Sequence, residues 1–285
     1  MKAWIKTDRL EFKDTDPPSQ RSDELLVRVG AISLNRGEVR GAARAATGTI
    51  PGWDVAGTVE RAAPSGKGPA VGTRVAALLV SGGWAELAAV PIAHAGVIPD
   101  GVTLEQAATL PIAGLTILRA FDVAGPLLGK RVLITGARGG VGQFATQLAA
   151  MSGAIVTAVR TADQGTEQYD LILESVGGVS LAAAIERVAR GGVVVTIGNT
   201  SEQETTFNSR TLYAKGGASI YGLLVFEELE SRRITGRDLE RLLELVRTEA
   251  LRTPIAVRRS WTELDAVLSD LDRRAFSGKA VLTVD

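Results

Sequence analysis

The segment 131–160 constrains the fold of this chain more than any other part of the sequence. It reads as an apolar strand (RVLIT), a glycine-rich turn (GARGG), a helix and a second apolar strand (AIVTAV). In the helix, Val141, Phe144, Ala145 and Leu148 recur at the spacing of one helical face. Short apolar strands of this kind are typical of a parallel sheet that is covered on both faces. The segment therefore predicts an α/β domain with a doubly wound parallel sheet.

The turn in this segment carries glycine at every third position: Gly136, Gly139 and Gly142. Glycines let a backbone turn tightly and approach a pyrophosphate, and the helix that follows presents free N–H groups and the positive end of its dipole. In this context the turn predicts a dinucleotide-binding site. The alternative is a turn whose glycines serve only close packing.

The residues after the second strand bear on the choice of nucleotide. A site specific for NAD places an acid there to bind the ribose hydroxyls. This chain has Arg160 and Thr161, and the nearest acid is Asp163. A guanidinium and a hydroxyl suit a 2′-phosphate, so the sequence predicts NADP(H). The alternative is a solvated surface arginine.

The remaining chain differs on the two sides of Leu104. The first 110 or so residues contain short strands separated by Gly and Pro clusters, which predicts a small β-rich domain. Helical and strand patterns then alternate. The segment TLEQAATLPIAGLTILRAFDVA predicts a helix that begins after Thr103, SLAAAIERVAR predicts another, and ASIYGLLVF predicts a late strand.

Composition excludes several classes of function. The 285 residues include no cysteine and one histidine, which excludes disulfides and thiol catalysis and weighs against zinc. We expect His94 to lie in a surface turn. The net charge of +0 predicts binding neither to nucleic acid nor to an anionic membrane. The charged first residues lack a signal-peptide core, which favours a cytoplasmic location.

Motifs along nearly the whole chain resemble one family. The chain resembles the zinc-free quinone oxidoreductase (zeta-crystallin-like) branch of the medium-chain dehydrogenases/reductases, and the blocks AATLPIAGLT and TGARGGVG are the most specific matches. The resemblance implies a GroES-like catalytic domain over 1–115, completed by 251–285, and a Rossmann-type domain over 116–250. It also implies an active site in the cleft between the domains.

The resemblance further implies roles for individual residues. Asn35 would lie near the nicotinamide ribose, Thr116 would contact the nicotinamide end, and Lys279 would close over the cofactor. The pyrophosphate would be held by Gly139, Gly140 and Val141 in the turn that Gly136 and Gly142 shape. The nicotinamide face would be lined by the backbone of Val176, Gly177, Gly198 and Asn199.

For some of these residues a purely structural role is the alternative. Asn35 would then be a turn asparagine, and Lys279 a solvated strand end. Trp53, Trp84 and Tyr221 are candidates for a substrate pocket, although an aromatic side chain in a β-rich domain is more often part of the core. No residue is identified as the catalytic acid; a bound water or the hydroxyl of Tyr213 or Tyr221 would supply the proton.

The chain departs from the family between its second and third apolar strands. Only residues 160–168 lie where the family has a helix, a third strand and a further connection. About 20 residues are absent, because one crossover with its helix already needs roughly 10–12. Either the deletion belongs to the protein, or residues are missing from the chain as written. The smooth return of the family pattern at Tyr169 favours the second explanation.

These observations predict an NADP(H)-dependent oxidoreductase that reduces a quinone or an activated C=C bond of a small molecule without zinc. One alternative is a scaffold that has lost redox function and acts as a cofactor-independent cyclase, isomerase or binding protein. Another is a structural, crystallin-like role. Because ASIYGLLVF would form an apolar sheet edge, we expect a homodimer in which this strand pairs with its copy.

Overall fold

The computed structural model describes residues 1–231 and 235–285, which divide into two units. The first unit comprises Met1–Leu115 and Ser231–Asp285, and the second comprises Thr116–Glu230. The sequence placed the later boundary at residue 251, twenty residues further along the chain.

Strands and helices are numbered in chain order. The strands are β1 (Lys2–Lys6), β2 (Leu10–Asp14), β3 (Glu24–Leu34), β4 (Asp54–Arg61), β5 (Arg74–Leu78), β6 (Leu87–Pro91), β7 (Ala95–Val97), β8 (Arg131–Ile134), β9 (Ile155–Ala158), β10 (Tyr169–Glu174), β11 (Val188–Thr196), β12 (Ser219–Gly222), β13 (Ile255–Ser260) and β14 (Lys279–Thr283). The helices are α1 (Arg36–Arg44), α2 (Leu104–Ala108), α3 (Pro111–Ala124), α4 (Gly140–Met151), α5 (Gly178–Arg187), α6 (Ser209–Tyr213), α7 (Val225–Glu230), α8 (Gly236–Arg247) and α9 (Leu264–Asp272).

The second unit is built on a parallel sheet with the strand order β12-β11-β10-β8-β9. Its central strands are buried and apolar, as the runs RVLI and LILE predict. Leu133, Ile172 and Val194 from three adjacent strands pack with Ala184 of α5 in one hydrophobic cluster. The predicted doubly wound α/β fold is confirmed.

The short connection of nine residues is part of this protein. The chain runs without interruption from Arg160 to Tyr169, so the explanation that residues are missing from the chain as written is wrong. The connection joins β9 and β10, which lie on opposite sides of β8. No strand of the described residues pairs with the far side of β9, so β9 forms the edge of the sheet, and Ile155 is 62% exposed.

The first unit contains the β-rich part of the chain. Within the described residues its main sheet has the order β13-β14-β3-β4-β5-β7, and β6 also pairs with β3. The predicted strand ELLVRVGAISL is β3, the longest of the unit. A large core includes Leu25, Ile32, Trp84 and Leu282.

Helix α8 belongs to this first unit, whereas the sequence placed it in the second. This helix packs closely against two glycines of the first unit, Gly96 and Gly114, which have no side chain to obstruct it. A Cβ added at Gly96 would lie 2.8 Å from the carbonyl oxygen of Gly236, and one added at Gly114 would lie 2.5 Å from Cδ1 of Leu242. The predicted apolar face of this helix is buried, but periodicity alone does not identify the surface that covers it.

Three predicted elements end earlier than expected. The helix after Thr103 is divided into α2 and α3, because a residue before proline disfavours the helical region and Pro111 begins the second helix. The helix predicted from SLAAAIERVAR ends at Arg187, since Val188 already pairs with Tyr169 in the sheet. The strand predicted from ASIYGLLVF ends at Gly222, and the chain continues into α7.

Candidate functional site

The glycine-rich turn connects β8 to α4 in the second unit. Gly136 has a φ of +60°, which favours glycine. A Cβ on Gly142 would lie 2.5 Å from the carbonyl oxygen of Gly136, so this glycine permits close packing of helix and turn. Gly139 is the N-cap of α4 and makes no side-chain cap hydrogen bond. The first N–H groups of α4, from Gly140 and Val141 onward, are thus left without a side-chain cap, and they suit an anion.

Loops after neighbouring parallel strands meet beside this turn. The Cα of Gly136 lies so close to Ser175 that an added Cβ would be 2.5 Å from its Oγ. Ser201 N–H donates to the carbonyl of Val176 at 2.8 Å, and a Cβ at Gly177 would overlap Oδ1 of Asn199. The structure therefore brings the predicted backbone segments around Val176 and Asn199 together at the carboxyl edge of the sheet, where open parallel sheets bind ligands.

A fully buried carboxylate organises these loops. Glu174 is the last residue of β10 and is 0% exposed. Its oxygens accept hydrogen bonds from the hydroxyl of Thr135 at 3.1 Å, the hydroxyl of Ser180 at 2.9 Å and the N–H of Gly177 at 2.8 Å. The N–H of Val176 donates to both oxygens at 3.1 Å. These donors compensate the cost of burying the charge. Sequence reasoning missed Glu174 because it ends an apolar strand and reads as a strand boundary.

The end of β9 adjoins the same turn. The N–H of Gly136 donates to the carbonyl of Arg160 at 3.1 Å, and the side chain of Arg160 is exposed. Asp163, the nearest acid, is paired within the same segment. The hydroxyl of Thr161, then the backbone N–H of Asp163 and, to a smaller extent, the charge of Arg160 hold the pKa of the Asp163 carboxyl below its ordinary value. The segment thus presents a guanidinium beside an acid that is already hydrogen-bonded.

Asn35 and Lys279 belong to the first unit, where they form a buried polar cluster with two acids. The Lys279 ammonium donates to Oδ1 of Asn35 at 2.7 Å and to Oδ2 of Asp54 at 3.1 Å. Asn35 Nδ2 donates to Asp54 at 2.8 Å and to Glu38 at 3.1 Å. The Lys279 side chain is only 3% exposed, so it is neither the solvated strand end of the alternative nor a free surface cation.

Burial raises the pKa values of both acids in this cluster. Burial, and then the nearby charge of Asp54, raises the pKa of Glu38 to about 8. Burial also raises the pKa of Asp54, while Lys279 opposes that shift. The N–H of Ile112 donates to Asp54 at 2.8 Å and the N–H of Trp53 donates to Glu38 at 2.9 Å, so the cluster links β3, α1, β4, β14 and the start of α3. The acid in GWDVAG was the overlooked signal, because a carboxylate inside a buried strand needs partners.

The remaining predicted residues lie in varied surroundings. Thr116 is buried in α3, and Trp84 is 1% exposed in the core of the first unit, so its place in a substrate pocket stays a prediction. Trp53 is half-buried against α1, where a Cβ on Gly37 would lie 2.8 Å from its ring.

Tyr221 is half-buried in the second unit and already has polar partners. Its hydroxyl donates to Glu228 at 2.6 Å. Arg119 binds the same carboxylate at 2.7 Å and contacts the hydroxyl at 3.4 Å. Tyr213 lies in α6 and is 70% exposed.

The described residues contain neither a metal-binding cluster nor a membrane-spanning helix. Across 1–231 and 235–285, no group of three or more His, Cys, Asp or Glu side chains is placed to hold a metal ion. Over the same ranges, no helix has the length and apolar character that crossing a membrane requires.

Comparison with known proteins identifies the family. Residues 21–100 match the alcohol dehydrogenase GroES-like domain, and residues 149–282 match the zinc-binding dehydrogenase family. A probable zinc-binding oxidoreductase, mitochondrial, of Arthroderma benhamiae is 30% identical over 239 residues, covering 68% of this chain and 72% of that protein. The chain therefore belongs to the medium-chain dehydrogenase/reductase family, and the predicted GroES-like and Rossmann-type regions are confirmed.

Particular relatives bear the names of quinone reductases. The chloroplastic quinone-oxidoreductase QR1 of Triphysaria versicolor is 36% identical over 181 residues, which cover 57% of this chain and 53% of that protein. The chain thus spans about half the length of this curated relative. The solved structure of mycobacterial Rv1454c complexed with NADPH has a TM-score of 0.87 at 23% identity, covering 99% of this chain and 100% of the other. This last likeness shows the fold alone.

Proposed function

We propose that this protein is an NADPH-dependent oxidoreductase that transfers hydride to a quinone or to an activated C=C bond without zinc. The observation that carries the proposal is the uncapped N-terminus of α4 at the glycine-rich turn, beside loops that follow three other parallel strands. The quinone-oxidoreductase name of the Triphysaria relative and the NADPH complex of the mycobacterial neighbour support it.

The second unit offers a separate group for each part of the nucleotide. The N–H groups of Gly140 and Val141 would bind the pyrophosphate, and Gly139 leaves space for it. Arg160 and Thr161 would bind the 2′-phosphate of the adenosine end. The backbone near Val176, Gly177, Gly198 and Asn199, fixed by Glu174, would orient the nicotinamide. When bound, NADPH supplies the hydride.

The nature of the acceptor follows from what the sequence lacks. Without cysteine and with one histidine, the chain has few of the ligands that hold zinc in a dehydrogenase site. A carbonyl or alcohol that needs polarisation by a metal is therefore a poor substrate, whereas a quinone or an enone already accepts hydride. We assign no catalytic acid, because the Tyr221 hydroxyl is committed to Glu228.

Titration with NADPH and NADH, followed through nicotinamide fluorescence, tests the proposal. We expect saturable binding of NADPH, tighter than that of NADH, and quinone-dependent oxidation of the bound NADPH. Lack of saturable binding of either nucleotide would refute the proposal. Binding without turnover of quinones or enones would favour the alternative of a scaffold that has lost redox function, which the shortened connection after β9 motivates.

We also propose a homodimer formed through β12. This strand ends the sheet of the second unit, and near it Ile220 is 37% and Leu224 57% exposed. Pairing with a second copy would satisfy the open backbone edge and cover these apolar side chains. Light scattering at the monomer mass over micromolar concentrations would contradict this. The cytoplasmic location stays a prediction, since matched relatives include chloroplastic proteins.

A further inference from the structure

The connection 160–168 lacks the usual support of secondary structure. No helix or strand occurs between β9 and β10. Gly165, in its middle, has a φ of +92°, and an added Cβ would lie 2.6 Å from Glu167 and 3.0 Å from Nη2 of Arg187. The connection therefore bends sharply around the side chain of Arg187, which comes from the end of α5.

Arg187 binds the connection with its whole guanidinium group. Nη1 donates to the carbonyl of Ala162 at 3.1 Å and to that of Gln164. Nε donates to the carbonyl of Glu167 at 3.2 Å, and Nη2 donates to Oε2 of Glu167 at 3.1 Å and to the hydroxyl of Tyr169 at 3.2 Å. All five N–H bonds of the guanidinium have acceptors, and the side chain is 7% exposed. A lysine has three donors and no planar fork, so it cannot replace this arrangement.

These contacts fix the residues that follow β9. The N–H of Ala162 donates to the hydroxyl of Ser180 at 3.0 Å, and the carbonyl of the same residue accepts from Arg187. On the other side, the carbonyl of Arg160 accepts from the glycine-rich turn. Arg160 and Thr161 are thus held between two anchors while the Arg160 side chain stays exposed.

We propose that Arg187 is a positioning residue for cofactor choice, which holds the segment Arg160–Thr161 so that it binds the 2′-phosphate of NADPH. This inference rests on the proposed function. Arg187 would not touch the cofactor; it would replace, with one side chain, the support that a third strand gives elsewhere. Loss of Arg187 should therefore weaken the binding of NADPH, which carries the 2′-phosphate, and leave the binding of NADH nearly unchanged.

The test compares Arg187→Ala, Arg187→Lys and the control Arg131→Ala. Arg131 also places its guanidinium near Tyr169, 5.6 Å from the ring centre. Its replacement removes a cation near the same ring but none of the hydrogen bonds that Arg187 donates to the connection. We expect Arg187→Ala to weaken the binding of NADPH at least tenfold and the binding of NADH less than threefold, as measured by nicotinamide fluorescence. Arg187→Lys should recover only part of the loss, and Arg131→Ala should bind both nucleotides as the unmutated protein does.

A second measurement needs no cofactor. Amide hydrogen exchange across residues 161–168 should accelerate at least tenfold in both Arg187 variants, while exchange in β8 stays unchanged. Equal weakening of NADPH and NADH in a folded variant, or unchanged affinity for both, would overturn the proposal. If the unmutated protein binds neither nucleotide, both the proposed function and the role of Arg187 in cofactor choice are wrong. The exchange data would still show whether Arg187 holds the connection in place.

Discussion

Replacing Lys279 by methionine should test the buried polar cluster of the first unit. Methionine keeps much of the length and volume of the lysine stem but removes the charge. The change deletes the ammonium that binds Asp54 at 3.1 Å and Asn35 at 2.7 Å. It removes the cation that lies beside the buried acids Asp54 and Glu38.

The expected loss of stability is large. Two hydrogen bonds from a charged group contribute about 1.5–3 kcal/mol each. Breaking a buried ion pair by removing one partner costs about 3–5 kcal/mol, which agrees with the sum for the two hydrogen bonds. A domain of ordinary stability unfolds with about 5–15 kcal/mol, so the variant should remain folded but be clearly weakened.

The loss should also depend on pH, with a defined sign. Because the pKa of folded Glu38 is about 8 against an ordinary 4.5, the folded protein keeps a proton that the unfolded chain releases. The stability this gives is full below the ordinary pKa and is lost as pH rises through the folded one. Removing Lys279 should raise the pKa of Asp54 further, since Lys279 is the largest influence that lowers it. The variant should therefore lose more stability at about pH 8.5 than at about pH 5.5.

Tryptophan fluorescence during urea unfolding measures this loss in the first unit specifically. All four tryptophans, Trp4, Trp53, Trp84 and Trp261, belong to the first unit. The matched control is Lys2→Met, which breaks the exposed ion pair with Asp14 and should cost about 0–1 kcal/mol. A loss in Lys279→Met no larger than in this control, or equal at both pH values, would refute the reasoning.

Three further predictions concern the nucleotide site and metal. Arg160→Glu should weaken the binding of NADPH about 10- to 100-fold, because it removes a charged hydrogen bond that contributes about 1.5–3 kcal/mol. Equal binding of NADH and NADPH by the unmutated protein would contradict the assignment of Arg160 to the 2′-phosphate. Gly139→Val should abolish nucleotide binding in a protein that still folds, because the φ of −75° suits valine and the added Cβ would lie 3.3 Å from the carbonyl oxygen of Gly136. In Gly142→Val the added Cβ would lie only 2.5 Å from that oxygen, so this variant should disturb the turn itself, and circular dichroism distinguishes the two. Elemental analysis should find no stoichiometric zinc, and one tightly held equivalent would contradict this.

The sequence predicted the parts of the structure that depend on local pattern. Strand–turn–helix order, the glycine positions and the apolar face of α8 are properties of neighbouring residues, and they were correct. The resemblance named the segments after β10 and β11, and the structure brings them beside the glycine-rich turn, because the carboxyl ends of parallel strands meet at one edge. Their role in binding the cofactor stays a prediction.

Long-range partners escaped prediction. Glu174, Asp54 and Arg187 are charged residues within or next to apolar runs, and nothing local states which donors or acceptors they meet. Lys279 was predicted near the cofactor, but its partners Asn35 and Asp54 lie 244 and 225 positions away in the chain. The end of helix α5 was misplaced for the same reason, since the pairing of Val188 with Tyr169 outweighs a good helical pattern.

The shortened connection after β9 should also affect the folding of the second unit, through the length of the loop that must close. Val132 of β8 pairs with Leu171 of β10, so a loop of 39 positions closes when the centre of the sheet forms. With the usual third strand this loop would be about 20 residues longer. The entropy of closing a loop grows with the logarithm of its length, so the shorter loop lowers the cost by about 0.4 kcal/mol. That corresponds to about twofold faster formation of the central strand pairs. We therefore expect the shortened connection, held by Arg187, to favour early pairing of β8 with β10.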